Sequence, residues 1–481
     1  MRDKWRVIIL LGAILSAGNI VEAQVMNSLY FMPGVPQSNR VNPAYQPEAG
    51  FYFGIPGIAP ISTEISSSSL SLGDIIFPHP SEDSLITFLH PLANKEDFLK
   101  QLKPLNYVIS DVGTSLFSLG FRTGAGFFSL DVTTRFDGNL YIPGDLARLA
   151  IEGAEEGHTY NMDGVGTDLS AFEEISLGWS GNIGQKLQIG VRGKLLFGIG
   201  NFSTTQSHLS VTTSEQVWNI QSEMQFNTSL AFAEVIYDAD GMIEDIVINE
   251  DLQDMNALAM ARYAFNKSNT GAGIDLGIVY RPSRRWMISA SLLDLGMVHW
   301  TDNIHQGSYE LEYDYTSVDV DPFDFINDDA SVDSYVDSTL TALADTLLGG
   351  LDLSRGQPYN SRLNSKLYLG ASWYVSPRIN FGLLSRTDFL RNAVVEQVTA
   401  SANFTTGRFL NFTLSYSYIN SYFKNIGAGI SLNAGPLNIY VISDNALNVV
   451  FWPQEARSAN LWFGMNLVFG YREKVDRPLI Y

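Results

Sequence analysis

Two acidic runs are the first stretches of this 481-residue sequence whose residue types suggest chemistry. Residues 310–345 hold Glu310, Glu312, Asp314, Asp319, Asp321, Asp324, Asp328, Asp329, Asp333, Asp337 and Asp345, and no Lys or Arg. Residues 234–254 add Glu234, Asp238, Asp240, Glu244, Asp245, Glu250, Asp251 and Asp254. Carboxylates are hard oxygen donors suited to Ca²⁺, so Asp319, Asp321, Asp324, Asp328 and Asp329 are the candidate metal ligands. "DADG" at 238–241 starts like a calcium loop, but Met242 stands at its fifth position and the rest of the ligand pattern is missing. A solvated acidic surface, bridged to lipopolysaccharide by divalent ions, accounts for the same residues. The six histidines, His79, His90, His158, His208, His299 and His305, form no H-E-x-x-H, and G-x-S-x-G is absent. A hydrolase would have to use His299 with Ser289 or Ser291, a spacing with no precedent in those motifs. There is no cysteine, hence no disulfide framework and no thiol chemistry. The expectation is a protein without enzymatic activity, cofactor or dedicated metal site. Its net charge of −21 would repel nucleic-acid phosphates.

The elements that carry these residues are strands. Arg2, Lys4 and Arg6 precede the apolar run 7–17, and "VEA" ends at Ala23, so residues 1–23 read as an export signal. After it no 18-residue apolar run occurs, which argues against helical membrane spans. The chain carries 22 Tyr, 28 Phe and 41 Gly with only 17% charged residues, a composition that points to β structure in lipid. Segments alternate with period two over about ten residues, the length of a tilted membrane strand. In 186–197, Leu187, Ile189, Val191, Leu195 and Phe197 oppose Gln188, Arg192 and Lys194. In 127–138, Phe128, Leu130, Val132 and Phe136 oppose Asp131, Thr133 and Arg135. The same pattern runs through 408–418, 425–435 and 461–470.

Six tight turns, at 122–126, 182–186, 281–285, 376–378, 405–408 and 434–436, join such strands, and five carry Arg or Lys. Between them lie variable connections, the longest at 138–167, 200–269 and 298–360. Short turns on one side and long loops on the other is the arrangement of outer-membrane barrels, with the short side periplasmic. Twelve strands from the turns, a last one near the C-terminus and a first within 59–69 predict an all-β, closed antiparallel transmembrane barrel of about fourteen strands. Both termini are then periplasmic, in the outer membrane of a Gram-negative bacterium. Residues 201–228 read as a further hairpin above the membrane, and 144–157 and 337–350 as short amphipathic helices in outer loops.

The division is therefore 1–23 signal, 24–58 N-terminal segment and 59–481 barrel. "LYFMPGVPQSNRVNPAYQP" (29–47) is too proline-rich for a helix interior or central strand, and too apolar for a solvated tail. A barrel of this width cannot fill its lumen with wall side chains alone. The segment is expected to plug it, through Tyr30, Phe31, Asn42, Pro43, Ala44 and Tyr45, against lumen-facing Asp131, Arg135, Gln188, Arg192, Lys194, Asp275 and Arg386.

Asn42-Pro43-Ala44, after an export signal and before a barrel, resembles the N-terminal box of FadL-type outer-membrane proteins. That resemblance implies fourteen strands, a luminal N-terminal hatch and inward movement of hydrophobic compounds. The PorV-type barrels of type IX secretion are distant relatives of the same kind. The whole run 29–47, followed by "FYFGIPGIAPIS", is similar over the mature chain to an exported barrel family known only as a domain of unknown function. The functional expectation is passive transport of hydrophobic or small amphiphilic compounds through a plugged lumen. The alternative is a docking barrel in a secretion or surface-assembly machine with a protein partner, and the third is an outer-membrane enzyme. Outer-membrane lipid and lipopolysaccharide are the expected surroundings.

Overall fold

On the strand Leu187–Thr213, Leu195 is 58% exposed while its neighbour Lys194 is 6% exposed. A water-soluble protein shows the reverse. Here apolar residues face outward into lipid and polar ones face inward, which is the defining inversion of a membrane barrel. The computed structural model describes residues 27–470 except 33, 57–59, 80, 82–83, 89, 91, 154, 215–217, 238–242, 249–256, 316–351, 407–408 and 420–421.

Fourteen wall strands close on themselves. β1 comprises Phe51–Gly54 and Ile61–Ser67; β2 is Leu105–Thr123, β3 Gly126–Pro143, β4 Gly166–Ile183 and β5 Leu187–Thr213. β6 is Thr270–Tyr280, β7 Trp286–Trp300, β8 Ser365–Ser376 with its outer piece Tyr359–Arg362, β9 Ile379–Phe389 and β10 Val394–Thr406. β11 is Leu410–Ile419, β12 Tyr422–Ala434, β13 Leu437–Ser443 and β14 Ser458–Phe469. Each pairs antiparallel with the next, and both pieces of β1 pair with β14 on one side and β2 on the other. Among the described residues every wall strand has a partner on both sides, so the ladders are satisfied without water. Among the described residues no helix is long and apolar enough to cross a membrane.

All six tight turns lie at one end, here the hairpin end, and join β2–β3, β4–β5, β6–β7, β8–β9, β10–β11 and β12–β13. Rings gather there: Phe121 stacks on Phe128 at 5.6 Å, Trp373 on Phe381 at 6.1 Å, and Phe51 packs by Phe469 at 6.1 Å. This is the interfacial aromatic girdle that such barrels carry. At the other end β5 runs for 27 residues, more than twice what a bilayer needs, and continues as a sheet with Trp218–Leu230 and Ile304–Tyr315. The expected hairpin at 201–228 is thus present, and so is the helix in 144–157, as Gly144–Glu152. The second expected helix, 337–350, lies outside the described residues, as do Asp319, Asp321, Asp324, Asp328 and Asp329.

One boundary differs from expectation. Phe51–Gly54, assigned to the N-terminal segment, is part of the wall, with Tyr52 buried and Phe51 and Phe53 half-buried. Pro56 and Pro60 lie between the two pieces of β1, and proline has no N–H to give a ladder. β13 also stops early: beyond Ser443 the chain turns inward and forms the helix Ala446–Phe451.

Candidate functional site in the barrel lumen

The described residues of 27–49 lie inside the wall. Proline and the bulky aromatics keep them out of regular structure, so two short 3₁₀ turns, Leu29–Phe31 and Pro36–Arg40, set the path. Polar contacts reach wall strands around the circumference. The Asn27 and Ser28 N–H groups donate to the Asp444 carboxylate at 2.7 and 2.8 Å, and the Ser28 hydroxyl donates there too. Asn27 Nδ2 donates to Gln397 at 3.0 Å, and Gln37 and Asn466 exchange amide bonds at 2.6 and 3.1 Å. Arg40 donates to Ser115 at 2.6 Å and to Asp131 at 2.8 Å. Lower down, Arg122 donates to Gln46 Oε1 and to the Pro47 carbonyl.

The apolar half is equally specific. Leu29, Tyr30, Phe31, Met32, Val35, Ala44 and Tyr45 form one buried cluster with inward wall residues such as Leu384 and Trp462. Tyr30 stacks on Tyr368 at 5.5 Å and meets Tyr45 edge-on at 5.3 Å. Each such buried side chain contributes roughly 1.5–3 kcal/mol. The wall accepts them because it is glycine where they touch. A Cβ on Gly370 would meet Tyr30 at 2.6 Å, and one on Gly382 would meet Phe31 at 2.5 Å. Gly190 and Gly277 are cross-strand partners on β5 and β6. Together they form a notch for Asn42-Pro43-Ala44: a Cβ on Gly190 would overlap the Pro43 carbonyl at 2.1 Å, and one on Gly277 the Asn42 Oδ1 at 2.2 Å. Asn42 Oδ1 accepts the Ala44 N–H at 3.0 Å, a side-chain turn, while its amide donates to Tyr30 Oη at 3.1 Å.

Past the segment the lumen is crossed by ion pairs. Arg135 reaches Asp294 at 2.8 Å and Asp137 and Glu174 at 3.2 Å. Lys194 reaches Asp294 at 2.5 Å and Asp275 at 2.9 Å, and Lys366 reaches Asp111 at 2.7 Å. Arg386 pairs with Asp388 at 2.8 Å and Glu64 at 3.6 Å, and Arg192 with Asp131 at 3.7 Å. Six cations and eight carboxylates, counting Arg40, thus span the bore. Between them and the N-terminal segment is a polar cavity of only about 90 Å³.

Of the residues singled out from sequence, Asp131, Arg135, Arg192, Lys194, Asp275 and Arg386 meet in this network. Gln188 does not: it lies at the hairpin end and accepts from Arg281 at 3.2 Å. His299 is on the outward face, while Ser289 and Ser291 face inward against Tyr30 and Val41, so the three do not converge. Sequence reasoning missed Asp294. Strict alternation from Ser289 and Ser291 sends it into lipid. A bulge between β6 and β7 resets the register there, Asp294 has φ 57°, and its N–H donates to Asp275 at 2.7 Å, so it turns inward. A lone acid on an apolar strand face was the available signal. The glycine sockets were missed too, because in sequence they look like any Gly of a β protein.

The family model described as "Family of unknown function (DUF5723)" matches residues 43–444. No curated protein matches. Among solved structures, the Ralstonia pickettii toluene transporter TbuX is 8% identical with a TM-score of 0.39, covering 91% of this chain and 94% of that one. A Pseudomonas aeruginosa FadL homologue is 9% identical with a TM-score of 0.40, covering 92% and 95%. The Pseudomonas putida toluene transporter TodX is 8% identical with a TM-score of 0.35, covering 90% and 93%.

Proposed function

The chain belongs to the family of unknown function DUF5723, and from that premise we propose that it is an outer-membrane barrel for passive passage of small amphiphilic or hydrophobic compounds, closed at rest by residues 27–49. The hairpin end, where β14 ends, faces the periplasm and the extended sheet faces outward, with Asn27 held inside the bore by Asp444 and Gln397. The observation that carries the reading is the filled lumen, in which apolar contacts around Tyr30 lie beside a charged cavity. A route with both surfaces suits a molecule that has both. Opening requires the segment to move, and its strongest polar ties are Arg40 to Asp131 and residues 27–28 to Asp444.

Hydrogen bonds to charged groups are worth about 1.5–3 kcal/mol each. The double substitution Arg40→Gln with Asp444→Asn is therefore expected to raise the open probability in planar bilayers by about tenfold or more. Uptake of an amphiphilic dye into liposomes should rise in step. Unchanged openings and uptake would reject the gate.

A second reading, a docking barrel for a secreted or surface partner, is favoured by the sheet of β5, Trp218–Leu230 and Ile304–Tyr315 beyond the wall. Both readings need that sheet outside the cell. An epitope inserted near Asp328 is expected to be labelled on intact cells; labelling only after the outer membrane is ruptured would reverse the topology.

A further inference from the structure

The outward face of β6, β7, β8 and β9 is not evenly convex. It encloses an apolar concavity of about 720 Å³. Two cross-strand rows build it. One runs Ile278–Ala290–Leu369–Ser385, the other Tyr280–Ile288–Ala371–Leu383. Ala290 and Ala371 are the floor, while Ile288, Leu369 and Leu383 stand 50% or more exposed on either side. One row nearer the hairpin end are three rings, Trp286 paired across to Trp373 and Trp373 stacked on Phe381.

Directly beyond those rings come the turns. Lys186 ends the β4–β5 turn, and Arg281, Arg284 and Arg285 lie in the neighbouring β6–β7 turn, all four exposed. Neither turn contains an acidic residue. This is not a property of the whole rim: Arg122 is tied to Gln46 and Pro47, and the 434–436 turn carries no charge. Cations, rings and groove therefore coincide in one sector of the wall.

We propose that this sector binds one anionic glycerophospholipid of the leaflet at the hairpin end, its phosphate held by Lys186, Arg284 and Arg285 and one acyl chain lying over Ala290 and Ala371. This rests on the membrane-barrel reading above. The dimensions agree. From Arg285 to Ala290 is about 17 Å along the strand, about 13 Å of depth at a tilt of roughly 40°, close to one leaflet of a hydrocarbon core of roughly 30 Å. The rings occupy the interfacial level where Trp is favoured. An acyl chain is the occupant because the groove opens into hydrocarbon, and the negative headgroup follows from three cations, Lys186, Arg284 and Arg285, with no acid among them, while Arg281 is tied inward to Gln188.

The test uses the intact, folded protein, stripped of lipid in detergent and titrated with phosphatidylglycerol or phosphatidylcholine of the same acyl chains. Retained lipid is counted by native mass spectrometry. Wild type is expected to hold one phosphatidylglycerol at a concentration about tenfold below that for phosphatidylcholine. Lys186→Gln with Arg284→Gln and Arg285→Gln should remove the preference; Ala290→Leu with Ala371→Leu, filling the groove, should weaken retention of both lipids. Equal retention by wild type, a preference that survives the triple substitution, or undiminished retention by the filled-groove protein overturns the site. Insertion into phosphatidylcholine vesicles is read in parallel. A protein that inserts but shows no preference overturns the site alone; one that never inserts overturns the membrane barrel and the site with it.

Discussion

Deleting residues 29–47 is expected to turn a closed barrel into an open one. Conductance in planar bilayers should rise on the order of tenfold, because a barrel this wide keeps an aqueous bore once nothing fills it. The wall itself should persist. Its ladders close without the segment, and its outward face is unchanged. A second variant separates loss of the segment from loss of folding. Gly190→Leu leaves residues 29–47 in the chain but places side-chain atoms where the Pro43 carbonyl sits, 2.1 Å from the site of a Cβ. It should open the bore as the deletion does, and accessible cysteines introduced along 35–45 should become reactive. If both proteins conduct like the parent, the segment does not close the lumen, and docking becomes the better account of the chain.

The second large effect is on stability. Arg135 is the shared partner of Asp137, Glu174 and Asp294, and it also lies 5.3 Å above the Phe172 ring. Arg135→Met keeps an unbranched, mostly apolar stem and removes the charge. Three buried carboxylates then lose their common cation, and such a break costs about 3–5 kcal/mol. The expected result is a matching loss in guanidinium unfolding of the detergent-solubilised barrel. Adding Asp137→Asn should recover part of it, since Asp294 and Glu174 keep Lys194 while Asp137 is paired to Arg135. A loss below about 1 kcal/mol would mean that water, and not Arg135, solvates these carboxylates in the bore.

Much of the wall was legible because a membrane barrel writes its two faces into alternate residues. The six turns, the fourteen strands and the hairpin beyond the membrane follow from that alternation and from turn chemistry, and the resemblance of the mature chain to a family without assigned function is borne out by the family model over residues 43–444. Three things were not legible, each for a reason. Phe51–Gly54 is four residues, too short to show a period. Asp294 depends on a bulge, which inverts the parity that the reading relied on. The partners across the bore, such as Lys366 and Asp111 at a separation of 255 residues, are set by closure of the ring and leave no local trace. The same holds for the glycines. Gly190 and Gly277 matter only because they become neighbours and because Pro43 arrives between them.

The reach of residues 27–49 bears on the order in which the molecule is assembled. Asn27 and Ser28 are bound by Asp444, and Gln37 by Asn466, at separations above 400 residues. The segment precedes every wall strand in the chain, and these partners lie at the end of β13 and in β14. Until β13 and β14 arrive, the sticky segment has half a socket. It must wait, or be shielded. Since β1 follows it at once and is also the strand that seals the ring against β14, sealing the wall and seating the segment belong to one late event. Contacts so distant in sequence make slow folding. A chain cut short before Asp444 would lack β14 too, leaving the ring unsealed and its own beginning with nowhere to go.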